Sequence, residues 1–279
     1  MPAPTQTATV VNEKNPPIAI ARKLTKVYGS GDTRVIALDG VSIEIERGSF
    51  TAIMGPSGSG KSTLMHCMAG LDRPSDGHVF VDGNPISTLS ERQLTKLRRT
   101  RLGFVFQAFN LIPTLTALEN ITLPIDLARG KVDQAWLDAV IDAVGLADRL
   151  GHKPSELSGG QQQRVACARA LVTRPSIVFA DEPTGNLDSV SSHEVLTFLR
   201  KSVDELGQSV VVVTHDPGTA AFADRVLFLA DGAVVGDLCD PTVDSVIDAL
   251  REHSERSRDR GRHSTSGATG DSAKGDDLR

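Results

Sequence analysis

The stretch Gly55-Pro56-Ser57-Gly58-Ser59-Gly60-Lys61-Ser62-Thr63 constrains this chain more than any other. It fits the pattern G-x-x-x-x-G-K-[ST] in the context the pattern needs. Phe50-Thr51-Ala52-Ile53-Met54 ahead of it reads as a buried strand, and residues 62–69 after it as a helix that Gly70 stops. The glycines let the backbone turn tightly enough for successive N–H groups, and the positive end of the helix dipole, to converge on nucleotide β- and γ-phosphates. Within this cradle Gly55, Ser57, Gly58 and Gly60 shape the loop and Lys61 adds a mobile positive charge. Ser62 is placed to hold Mg²⁺ through its hydroxyl, with Thr63 beside it. Alone, the motif implies a nucleotide hydrolase or kinase and no more.

A net charge of −5 argues against broad binding to a phosphate backbone, so no direct nucleic-acid partner is expected. Cys67, Cys167 and Cys239 are dispersed and lack C-x-x-C spacing, which suggests neither a disulfide framework nor a zinc site and fits a reducing, cytoplasmic setting. Two of them fall on helix faces expected to be buried, where cysteine acts as a small hydrophobe. Residues 1–17 are polar and rich in Pro and Thr, without the basic and apolar regions of a signal peptide. Apolar runs such as Val210-Val211-Val212-Val213 fall far short of the ~20 residues of a membrane-spanning helix. A membrane role would have to come through a partner.

Alternation at residues 18–21 and 41–46 predicts half-buried strands around a Gly-rich turn at 28–32, an antiparallel edge to the core. A hairpin with an Asp82-Gly83 turn follows, and Ser90 with Gln93 caps a basic helix running to about Arg101. From about 104 to 170 a short strand gives way to helical patterning, with Trp136, Leu137, Val140, Ile141 and Val144 at helical spacing. Residues 177–180 and 209–214 are continuously apolar, as parallel strands covered on both faces should be. Asp188 can cap the helix between them, and a last hairpin turns at Asp231-Gly232. The expected fold is α/β, a phosphate-loop NTPase core with a mixed, mainly parallel sheet, an antiparallel edge and an α-helical insertion. Residues 18–252 form the domain, a short helix at 243–250 precedes its end, and the polar stretch 253–279 is expected to be disordered, like 1–17.

Two further motifs narrow the class. Asp181 ends an apolar strand, where phosphate-loop proteins place a carboxylate to meet Mg²⁺, and Glu182 beyond it is placed to orient a water for attack on the γ-phosphate. In Leu157-Ser158-Gly159-Gly160-Gln161, Ser158 and Gln161 form a capping box, and open N–H groups at a helix start make a second anion site. One nucleotide does not need two such sites from one chain.

Together with Gln107 after a strand, Asn186-Leu187-Asp188 and Thr214-His215-Asp216, these motifs resemble, in order over about residues 18–235, the ATP-binding-cassette ATPases. Residues 109–120 and 180–188 look like the branch that includes lipoprotein-release and macrolide-exporter ATPases. The resemblance implies an ATP- and Mg²⁺-dependent ATPase, peripheral on the cytoplasmic face of a membrane and coupled to a transmembrane permease subunit. Tyr28 would stack on adenine, and Gln107 would sense Mg²⁺ and the attacking water. His215 would contact the γ-phosphate and help hold Glu182. Ser158, Gly159, Gly160 and Gln161 would bind the nucleotide held by a second copy, with Asp188 across the seam of a homodimer that sandwiches two ATP molecules. Export, lipid or lipoprotein extraction and force transmission stay open, as do an importer subunit, a regulatory complex of the cell envelope and a soluble cassette of translation or DNA repair.

Overall fold

A computed structural model describes residues 16–253. The expectations for residues 1–15 and 254–279 lie outside the described residues. Two sheets enclose the phosphate-loop helix between them. The larger has six strands in the order β10-β9-β3-β8-β7-β6. Its members are β3 (Phe50–Met54), β6 (Leu102–Phe106), β7 (Ile177–Asp181), β8 (Val210–Val213), β9 (Arg225–Ala230) and β10 (Ala233–Cys239). All pair in parallel except the β9–β10 hairpin. Alternate residues of these strands enter two different cores, which explains their continuous apolarity. Phe50, Ala52, Met54, Val210 and Val212 face the helical side, whereas Ile53, Phe179, Val211 and Val213 face the second sheet.

The expected antiparallel edge is present as a sheet of its own. β1 (Ala19–Tyr28), β2 (Val35–Ile45), β4 (Asp76–Val81) and β5 (Asn84–Pro85) form a separate sheet in the order β2-β1-β4-β5. Its apolar face closes over α1 (Lys61–Met68), where Leu64, Met65 and Met68 meet Ala19, Ala21, Leu24 and Val79. β1 and β2 run longer than their alternation implied, because register shifts after Ala21, Leu24 and Lys26 break the two-residue period.

On the opposite face lie α3 (Ala117–Leu127), α4 (Gln134–Val144), α5 (Gly159–Leu171) and α6 (Ser189–Asp204), with the basic α2 (Glu91–Arg101) leading into β6. Capping follows the sequence. Ser90 N donates to Gln93 Oε1 at 2.9 Å, and Thr116 N donates to Glu119 Oε2 at 2.7 Å. The expected insertion comprises α3 to α5, and β6 belongs to the main sheet. A short helix α7 (Pro217–Ala220) precedes β9, and residues 243–253 are helical. Among the described residues no helix is long and apolar enough to cross a membrane.

A candidate nucleotide site in two halves

The first half gathers at the ends of β3, β7 and β8. Gly60 caps α1 at φ 99°, a backbone that side chains rarely adopt, and a Cβ there would strike the Ala37 carbonyl. At Gly55 a Cβ would strike the Leu229 carbonyl, so glycine lets the loop press against its neighbours. Lys61 Nζ donates to the Pro56 carbonyl at 2.9 Å, clasping the loop from its own helix. Burial holds the Lys61 ammonium below the usual lysine range, against the pull of Glu182 and Asp181. Ser59 Oγ lies inside the loop, 3% exposed as a residue, with no hydrogen-bond partner. An orphan buried hydroxyl in a cradle of backbone N–H groups is the chemistry that a phosphate oxygen would satisfy.

Carboxylates reach this cradle from β7, on the far side of β8. Ser62 Oγ donates to Asp181 Oδ1 at 3.1 Å, bringing together the two groups expected at Mg²⁺. His66 Nε2, one turn further along α1, lies 3.9 Å from Asp181 Oδ2. Glu182 leaves β7 at φ +46°, with its N–H on the Val213 carbonyl at 2.9 Å. A left-handed non-glycine residue stores roughly 1–3 kcal/mol of strain, a frequent feature of functional turns. This bend aims the carboxylate at His215, whose Nδ1 lies 2.8 Å from Glu182 Oε1. The Glu182 side chain is 22% exposed and that of His215 72% exposed.

Gln107 and Tyr28 flank this centre. The Gln107 amide is engaged with Asn186, through Nε2 to Oδ1 at 3.0 Å and back from Nδ2 to the Gln107 carbonyl at 3.1 Å. It therefore meets the loop that follows Glu182, and a Cβ at Gly185 would crowd it. Tyr28 ends β1, 42% exposed, with its hydroxyl on Asp72 at 2.7 Å and Lys26 Nζ 4.7 Å from its ring centre. Burial and the Asp72 hydrogen bond raise the Tyr28 phenol. Burial pushes Asp72 up, but hydrogen bonds from Lys26 and Tyr28 hold it below the usual carboxylate range.

The second half stands elsewhere. Ser158 caps α5, donating its N–H to Gln161 Oε1 at 2.9 Å while its hydroxyl accepts from Gln161 N at 3.3 Å. Gly160 lets α5 touch the start of α6, since a Cβ there would lie 2.6 Å from Ser191 Oγ. Asp188 caps α6 by accepting from Val190 N at 3.0 Å, Ser191 N at 2.9 Å and Ser191 Oγ at 2.8 Å. Hydrogen bonds from Ser191, first its backbone N–H, hold Asp188 below the usual carboxylate range. Two positive helix ends thus lie side by side, and the hydrogen bonds described for their caps stay within each helix's own first turn rather than going to the phosphate loop, Asp181, Glu182 or His215.

Sequence reading passed over Ser59, Asp72 and Gln163, and gave Asn186 no role. Ser59 occupies an unspecified position of the loop pattern, and the other three act through contacts 44 to 79 residues away or through backbone carbonyls.

Fold and first half-site together define a phosphate-loop nucleotide-binding domain. Comparison with known proteins agrees and goes further. Residues 38–185 match the family model described as ABC transporter. Over 214 residues the chain is 49% identical to the macrolide export ATP-binding/permease protein MacB of Bdellovibrio bacteriovorus, covering 77% of this chain and 33% of the relative. It is 47% identical over 231 residues to the lipoprotein-releasing system ATP-binding protein LolD of Bordetella pertussis, covering 82% of this chain and all of the relative. A solved structure of the cassette MJ0796 as a post-hydrolysis dimer bound to ADP and Pi superposes with a TM-score of 0.72 at 43% identity, over 80% of this chain and 99% of that one. The chain belongs to the ABC transporter family, as its ATPase domain. It spans about a third of the length of the MacB relatives and the whole of LolD.

Proposed function

We propose that this chain hydrolyses ATP as a homodimer that closes over two nucleotides and drives a separate membrane permease from the cytoplasmic face, in export or in extraction of lipoprotein or lipid. The split site carries this reading. The phosphate loop, Asp181, Glu182 and His215 assemble within one chain, while the hydrogen bonds described for the caps Ser158 and Asp188 stay within their own helix starts. Related cassettes include a dimer bound to ADP and Pi, and the named relatives are a macrolide export ATP-binding/permease protein and the ATP-binding protein of a lipoprotein-releasing system.

In this reading the loop N–H groups, Ser59 Oγ and Lys61 hold the phosphates, and Tyr28 offers its ring to adenine. Ser62 and Asp181, with Gln107 from its place against Asn186, would hold Mg²⁺, which would neutralise charge on the phosphate oxygens. His215 fixes Oε1 of Glu182 and leaves Oε2 to take a proton from the attacking water. Ser158, Gly159 and Gly160 complete the partner's site. Driving closure from about 1% to 99% takes ~5.5 kcal/mol of differential affinity. A few charge-assisted bonds of ~1.5–3 kcal/mol each supply it when the γ-phosphate bridges the halves.

Glu182→Gln tests the whole. The variant should bind ATP, lose turnover by about 100-fold or more, and double in mass by light scattering with Mg-ATP. Trapped in its native membranes, it should bring down a membrane protein with few spans. Wild-type turnover in this variant would remove Glu182 from its role, and recovery of ribosomes or repair proteins without a membrane subunit would overturn the transport reading.

A further inference from the structure

α5 also reaches back into its own chain. Gln163, 0% exposed, lies one turn beyond the Ser158 cap. Its Nε2 donates to two backbone carbonyls, Phe106 O at 3.3 Å and Pro183 O at 2.5 Å. Phe106 immediately precedes Gln107, and Pro183 immediately follows Glu182. The two acceptors fix the amide orientation, since the reverse placement would set Oε1 against both carbonyls. Oε1 is left buried without a partner. A buried orphan acceptor destabilises a fold, so packing alone does not account for an amide here.

The turn closes on itself through Gly185 N to Glu182 O at 3.0 Å, but its Pro183 carbonyl is held from α5. Glu182 is a left-handed residue ahead of a proline, a conformation that persists only when its surroundings over-determine it. Glu182 N on Val213 O secures one side of that residue and Gln163 on Pro183 O the other. Further along the same helix, Arg169 donates to Phe109 O at 2.8 Å and Asn110 O at 2.6 Å, so α5 grips the segment on both sides of Gln107.

We propose that Gln163 is a positioning residue that links the two half-sites. When Ser158 and the glycines at the head of α5 engage the partner's nucleotide, the same rigid helix sets the aim of Glu182 and the strand end that feeds Gln107 in its own chain. Closure around one nucleotide thereby tunes hydrolysis of the other. This inference rests on the proposed reading of the chain as a closing ATPase dimer.

Gln163→Met, in the full chain, keeps length and packing and removes both donors. Expected are a kcat lower by about 10- to 100-fold, since a small misplacement of a catalytic group has that effect, with a KM changed by no more than about twofold. The Hill coefficient for ATP should fall toward one. In a Glu182→Gln background the added Gln163→Met should raise the ATP concentration for half-maximal dimer formation, while binding of a fluorescent ATP analogue to the monomer stays unchanged. A merely structural amide would instead lower the melting temperature and nucleotide affinity together. Gln163→Asn, too short to reach both carbonyls, is the second variant and should show the same split. Turnover, cooperativity and dimerisation like wild type in either folded variant would overturn the inference, as would failure of both to fold. A wild-type chain without ATPase activity would overturn the proposed function instead.

Discussion

The two half-sites are built by different means. Around the phosphate loop, function depends on distant residues meeting, with Ser62 and Asp181 separated by 119 positions and Glu182 and His215 by 33. At the heads of α5 and α6 the caps are local, Ser158 with Gln161 and Asp188 with Ser191, each three residues apart. Gly160 against Ser191 and the Arg164–Glu194 ion pair join the two helices across the fold. A half that needs the whole sheet to form is a binding centre in its own right. Two helix ends that cap themselves and keep small residues at the surface are shaped to be met by something else.

Ser158→Arg is the strongest way to break that contrast. Arginine puts bulk where the partner's phosphate would sit, yet leaves the phosphate loop of its own chain untouched. Hydrolysis should fall by about 100-fold or more while nucleotide binding to the monomer stays within about twofold, read by steady-state turnover and equilibrium titration. Mixing it with Glu182→Gln sharpens the result. The heterodimer pairs an intact Glu182 with an intact Ser158 in one of its two sites, so two inactive chains should restore up to about a quarter of wild-type activity when combined at random. No recovery on mixing would mean that the halves do not meet between chains.

Next in size is His215→Ala, which leaves the second half alone and frees Glu182 Oε1. Loss of this orienting partner should lower kcat by about 100-fold, within the range for positioned acid–base groups, with little change in nucleotide affinity. A large loss of affinity instead would show that His215 serves binding rather than the aim of Glu182.

Much of this was legible in the sequence, for physical reasons that differ by region. The phosphate loop, the apolar strands around it and the caps Ser90, Ser158 and Asp188 are specified by residue type at short spacing, and each forms where expected. The separate antiparallel sheet was read only as an edge, because its bulges interrupt the alternation and sheet membership is a long-range property. Lys26 and Asp72 around Tyr28, Asn186 on Gln107 and Gln163 on two carbonyls belong to the same category: their partners lie far away in sequence or on the main chain.

The smallest effect uses the cysteines, because each half-site helix carries one. Cys67 sits on α1 behind the phosphate loop and Cys167 on α5 behind Ser158, both buried, whereas Cys239 is exposed on β10. Burial pushes the Cys67 and Cys167 thiols up to about 12, with Asp72 adding to the effect at Cys67. At pH 8 only about one in 10⁴ of either would be thiolate, the reactive form. A thiol-exchange reagent should therefore titrate one cysteine rapidly in the native chain and all three after denaturation. The slow reactions that remain report local opening of each half. ATP should slow labelling of Cys67 in any variant that binds it, because the ligand holds the loop to α1. Labelling of Cys167 should slow only when dimers close, as in Glu182→Gln, and stay unchanged by ATP in Ser158→Arg. Equal protection of both cysteines in Ser158→Arg would mean that nucleotide binding alone stabilises α5, and the two halves would then be a single unit within one chain.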